Sequence, residues 1–166
     1  MSRTSALEER MDELRVPTVP MNCEVRLAGG EVVHGAFHLP TAAMEHTGPP
    51  GLTDWLNDDE EFIPFQPAGR SEHFILNKQQ ILVVTVPPGA GSRADVDLPM
   101  RDISVELEGV WYAGSLPIDL PPEHSRTLDM LNRAALFVCL ASEEADHVVN
   151  RHRIQRVREG HQDGTS

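Results

Sequence analysis

The chain has 166 residues, 40% apolar and 24% charged, with a formal net charge of −12 and two cysteines. That length supports one ordinary domain or two very small ones. No stretch approaches the roughly 20 apolar residues of a membrane span, and the acid excess disfavours a nucleic-acid partner, because a phosphate backbone is held by clustered Lys and Arg.

Residues 1–21 form a charged lead-in. Within it, SALEERMDELR (5–15) places Leu7, Met11 and Leu14 at i, i+4 and i+7 and predicts an amphipathic α-helix. Such a start does not read as a secretory signal, so a cytoplasmic location is expected.

Residues 22–86 read as a small β-rich unit. Val25 and Leu27 point to one face and Arg26 to the other, a period of two. Gly29-Gly30 suits a hairpin turn that needs positive φ. Phe37 and Leu39 alternate with Ala36 and His38. A proline-containing loop leads to TDWLN (53–57), a short helical turn with Thr53 as candidate cap. Strands resume in EFIPF, HFILN and ILVVTV. Residues 87–101, PPGAGSRADVDLPMR, read as a linker. A second β-rich unit spans 102–158, and the tail 159–166, EGHQDGTS, is expected to be disordered.

The second unit repeats the first. VRLAGGEVVHG (25–35) matches VELEGVWYAG (105–114), so that Gly35 corresponds to Gly114. TDWLN matches LDMLN (128–132), with Ser125 or Thr127 as candidate caps. Phe62-Ile63 matches Phe137-Val138. Asn77, Lys78, Ile81 and Val84 match Asn150, Arg151, Ile154 and Val157. Each unit thus predicts two strands, a short helical turn and three strands, able to roll into a small barrel that hides most of its edges. Cys23 and Cys139 occupy different positions in the repeat and neither belongs to a CxxC, so both are expected as buried thiols.

The repeated unit resembles the Sm-like fold, a small bent barrel of the SH3-like kind. Gly35 followed by Asp54-Trp55-Leu56-Asn57, and Gly114 followed by Asp129-Met130-Leu131-Asn132, are similar to the first Sm motif. Asn77-Lys78 with Ile81 and Val84, and Asn150-Arg151 with Ile154 and Val157, stand where the second motif carries Arg-Gly. The chain is also similar to small bacterial proteins with an R-x-x-D-x-L-N segment, which Arg126–Asn132 matches in full, and an N-[KR]-x-x-I-x-x-V ending. The fold expected is therefore mainly β: two tandem Sm-like, SH3-like five-stranded barrels, each with a short helical turn, plus an N-terminal α-helix. The resemblance implies that Asp54, Asn57, Asp129 and Asn132 could line a ligand-reading loop. Taken on their own, Asp54 and Asp129 read as caps of the helical turns and Asn57 and Asn132 as exit-turn residues. Asn77 and Asn150 read as strand-corner residues, since Asn tolerates left-handed backbone.

Arg151, Arg153, Arg156 and Arg158 are the best docking candidates, with 156 and 158 sharing a face. They could instead pair with the surplus carboxylates. Trp55 is a candidate partner anchor, while Trp111 is expected in the core. Asp58-Asp59-Glu60-Glu61 reads as a solvated loop. His34 and His38 share a strand face, but nothing supplies further metal ligands at a recognisable spacing. There is no G-x-S-x-G, Walker loop, H-E-x-x-H or Cys/His nucleophile pair, nor the motifs of a PilZ-type cyclic dinucleotide site. The expectation is a non-catalytic protein–protein adaptor or scaffold in a cytosolic bacterial assembly, with no cofactor or metal. A protein partner would be met by strand addition, and self-association stays open. The alternative is Sm-like RNA or nucleotide binding.

Overall fold

The computed structural model describes residues 17–40, 51–92, 98–118, 121 and 126–160. The expected N-terminal helix, Ser125, the middle of the 87–101 linker and the tail from 161 onward lie outside the described residues.

The chain is mainly β, arranged as two antiparallel sheets. Strand β1 (Thr18–Leu27) pairs with β2 (Val32–Pro40) through a tight turn in which Gly29 and Gly30 hold φ of 93° and 96°. Only glycine adopts such angles freely. As the period of two requires, Val25, Phe37 and Leu39 are buried while Glu24 and His34 face solvent. Helix α1 (Leu52–Leu56), β3 (Phe62–Pro67), β4 (Phe74–Asn77), a 3₁₀ turn (Lys78–Gln80) and β5 (Ile81–Val86) follow. The second half runs β6 (Met100–Leu107), β7 (Val110–Pro117), α2 (Thr127–Arg133), β8 (Phe137–Leu140), β9 (Asp146–Asn150), a 3₁₀ turn (Arg151–Arg153) and β10 (Arg156–Glu159). Several boundaries differ from the sequence expectation. Thr18 to Met21, read as lead-in, already pair with β2. Met100 and Arg101, read as linker, belong to β6, and Glu159, read as tail, pairs with Ile103.

In the first half the strands pair in the order β4-β3-β2-β1-β5. In the second, β10-β6-β7 form the three-stranded sheet, a lone Ser115–Ala141 bridge links β7 to the start of the β8–β9 connection, and β8 pairs with β9. Both halves thus follow one order of elements and one order of neighbours. Gly35 and Gly114 stand at matching crossings. A Cβ on Gly35 would lie 2.1 Å from the Gln66 carbonyl oxygen, and one on Gly114 would lie 2.8 Å from the Leu140 Cβ. In each half the third strand can approach the second only because no side chain intervenes.

The expected closed five-stranded barrels do not form. The outer edge of β5 pairs antiparallel with β9, Val83 opposite Val149 and Val84 opposite Val148, and this joint makes a seven-stranded sheet running through both halves. The edge hydrogen bonds that barrel closure would satisfy are instead made to the other half. Side chains cross the joint as well. One core cluster combines Phe37, Leu56, Phe65 and Val84 with Phe137 and Val148, and the other combines Val105, Leu107 and Leu140 with Leu82 and Val83. Full burial of each such side chain contributes about 1.5–3 kcal/mol, so neither half owns its core.

Candidate functional site: the joint, the arginine face and the open edges

The two loops that carry the matched Asp and Asn residues do different work. Helix α1 is preceded by Gly51 and α2 by Arg126, with no side-chain cap at either position. Thr53 and Thr127, expected as caps, lie inside the helices because each helix starts earlier than the polar residue suggests. Asp54 and Asp129 lie in the first turns, where a carboxylate favours the helix dipole. Asn57 ends α1, and its side chain reaches the other half: Nδ2 donates to the Phe137 carbonyl at 3.0 Å while Oδ1 accepts from the Phe137 N–H at 2.8 Å. The amide acts as one rung of a strand laid against β8. Asn132, its counterpart, is exposed on the last turn of α2.

Asn77 and Asn150 each begin a 3₁₀ turn. Oδ1 of Asn77 accepts from Gln79 N–H at 2.9 Å and that of Asn150 from His152 N–H at 3.0 Å. Asn150 is fully buried and also donates to the Ile81 carbonyl at 2.9 Å, across the joint. The next residue anchors the helix-to-strand loop. Lys78 is buried and its Nζ lies 2.6 Å from Asp58 Oδ1, while Arg151 donates to the carbonyls of Leu131 and Ala135, each at 3.1 Å.

Each of the four arginines, the docking candidates of the sequence, makes contacts within the chain. Arg151 closes the end of α2, and Arg153 Nε donates to the Gln79 carbonyl at 2.9 Å. Arg156 grips Glu106 with a two-pronged contact, Nε to Oε1 at 2.8 Å and Nη2 to Oε2 at 2.7 Å. This fork holds the Glu106 carboxyl below the usual range and raises the Arg156 guanidinium. Arg156 and Arg158 do share a face, and the Arg158 guanidinium sits 4.4 Å from the centre of the Trp111 ring. Trp111 is half-buried on this sheet face, not inside the core where it was expected, because its row of β7-β6-β10 reads Trp111, Glu106, Arg156. Trp55 is half-buried against the first core, its ring 5.3 Å from Phe37.

His34 lies 3.7 Å from Glu24, and His38 contacts Gln66 at 3.0 Å. Burial raises the thiols of Cys23 and Cys139 to about 12 and about 11. Among the described residues no group of three His, Cys, Asp or Glu could hold a metal ion, and no helix is long and apolar enough to cross a membrane.

Among the described residues, two sheet edges are left open along their full length. β4 ends the seven-stranded sheet and β10 ends the three-stranded one. Around β4, Phe62, Phe74 and Ile75 are exposed. Sequence reasoning passed over these three as ordinary strand residues. Their counterparts by pairing position, Phe137, His147 and Val148, are buried, half-buried and buried, a contrast that the residue types alone do not carry. Compared with protein-family models, curated proteins and solved structures, the chain matches none.

Proposed function

We propose that the chain is a non-catalytic protein-interaction module, a tandem pair of Sm-like units serving as adaptor or scaffold in a cytosolic assembly. The observation that carries this reading is the β4 edge, unpaired among the described residues, with the apolar side chains Phe62, Phe74 and Ile75 exposed around it. Free backbone donors and acceptors supply affinity for an added strand, and the flanking apolar groups supply its fit. Affinity capture with the full chain is expected to retain one dominant protein, and Ile75→Lys is expected to release it with the melting temperature unchanged. Retention of that protein by Ile75→Lys would overturn the edge as the contact.

RNA or nucleotide binding is the second reading, favoured by Arg158 stacked on the half-buried Trp111 ring. It predicts salt-sensitive binding of mixed RNA that weakens in Arg158→Ala. Absence of binding at low salt removes it.

A further inference from the structure

We propose that the second half carries a docking groove beside β7 that takes an extended, basic peptide segment as an added strand. The site lies apart from the β4 edge and does not depend on what that edge binds.

The groove follows from a difference between the halves at their matched crossings. In the first half β3 is six residues long and pairs with β2 at Gly35 and Ala36. The chain then stays beside β2, because the Ala68 N–H donates to the His34 carbonyl at 2.9 Å. In the second half β8 is only four residues long. The chain meets β7 just past the end of β8, in the lone Ser115–Ala141 bridge of 2.8 and 3.0 Å. The connection to β9 then turns back on itself: the Ser142 hydroxyl accepts from the Ala145 N–H at 3.1 Å and donates to the Ala145 carbonyl. Ala113, the counterpart of His34, is exposed.

The direction of the backbone decides which groups this leaves bare. Ser115 turns both its N–H and its carbonyl away from β6, toward Ala141. In an antiparallel ladder every second residue repeats that direction, so Ala113 and Trp111 turn theirs the same way. Among the described residues no backbone group meets them there. A groove of about 900 Å³ lies alongside, between β7 from Trp111 to Ser115 and the turn from Ala141 to Ala145. Unpaired donors and acceptors along a strand, with room beside them, suit an added strand.

Charge selects the occupant. The charged residues lining the groove are Asp102, Glu143 and Glu144, with no Lys or Arg among them. Asp102 accepts from the Ser115 hydroxyl at 2.6 Å. Glu143 and Glu144 are exposed, and neither makes an ion pair among the described residues. Such a rim attracts lysine and arginine and repels an acidic segment. Tyr112 and His147 also line the groove, their rings 5.2 Å apart, and Tyr112 packs on the second core. Asp102 pairs with Ser115 and so lies on the opposite face from Tyr112. Side chains of an added strand alternate between these faces, so the segment that fits alternates apolar with basic residues.

Fluorescence anisotropy of a labelled hexapeptide alternating valine with lysine, titrated with the full chain, tests this. Saturable binding is expected, with none for the same peptide carrying glutamate in place of lysine. Glu143→Lys combined with Glu144→Lys should weaken it roughly tenfold. Both positions are exposed, so the circular dichroism of that double variant should match the parent. Strand addition is separated from charge attraction by two further peptides, N-methylated at the valines or at the lysines. One turns its methyl groups toward β7 and should lose binding, while the other keeps it. The same behaviour from both overturns the inference, as does absence of binding at low salt. Ile75→Lys should bind the lysine peptide as the parent does. Loss of binding in that variant would place the peptide on the β4 edge, overturning the groove while supporting the edge reading above.

Discussion

Strands β5 and β10 hold the same place in their halves, yet one reads ILVVTV and the other RVRE. β5 is paired on both edges, with β1 and β9, and all of it but Thr85 is buried. Among the described residues β10 is paired only with β6, and its arginines lie over Glu106 and Trp111. The comparison shows that a strand's side chains record whether it is interior or terminal. Charges on a terminal strand discourage indiscriminate pairing. They leave Val157 as the one apolar side chain of that strand.

The largest test of this contrast is phenylalanine removal. Phe137→Ala is expected to cost about 3–5 kcal/mol, since the side chain fills a core shared by both halves. Phe62→Ala, at the matching but exposed position, should stay within about 0.5 kcal/mol in the monomer. Urea denaturation of both variants at low protein concentration measures the difference, and equal losses would break the comparison. Next come the glycines. Gly35→Ala pushes a Cβ onto backbone at Gln66, while Gly114→Ala meets chiefly the Leu140 side chain and backbone at longer range. Overpacking costs typically about 1–3 kcal/mol, and Gly35→Ala should be the worse of the two. The reverse order of melting temperatures would mean that the second crossing is the more rigid one.

These pairs also mark what was legible in the sequence. Alternation in 25–39 and the Gly29-Gly30 turn are local patterns, and β1 and β2 follow them directly. The joint was not legible. A valine-rich β5 signals burial on both faces, but the partner that covers it lies more than 60 residues away, and no local pattern names β9 over a barrel-closing neighbour. The partners of the arginine cluster were hidden for a related reason. Pairing with surplus carboxylates was the alternative read from the sequence, but only Arg156 takes a carboxylate, that of Glu106, while Arg151 and Arg153 donate to the carbonyls of Leu131, Ala135 and Gln79. Asn57 was read as a turn residue because its target, the Phe137 backbone, comes from the other half.

Asn57 accordingly gives a mid-sized prediction. Asn57→Ala leaves the Phe137 N–H and carbonyl without their partners and is expected to cost about 1–3 kcal/mol. Asn132→Ala, at the exposed counterpart, should leave stability within about 0.5 kcal/mol. Chemical denaturation of both variants separates the two roles. An Asn132→Ala chain that loses stability would assign this residue to its own turn.

The smallest expected effect comes from pH at the joint. His147 is packed between the halves, its Nδ1 3.1 Å from Thr85 Oγ1 and its ring 5.2 Å from Tyr112. Burial lowers its pKa below the ordinary value near 6.5, against the opposing pull of Asp146 and Glu24. The folded chain therefore holds this imidazole neutral while the unfolded chain protonates it as the pH drops below about 6.5, so the unfolded state binds more protons. Stability is expected to fall as pH decreases from that point and to level off below the folded pKa. His147→Gln should flatten this part of the profile. Because Val84, Val148 and His147 occupy one strand pair, acid should loosen the joint before either hairpin, and amide exchange in β5 and β9 should quicken ahead of that in β1 and β2. Uniform quickening across all four strands would show instead that the halves unfold as one unit.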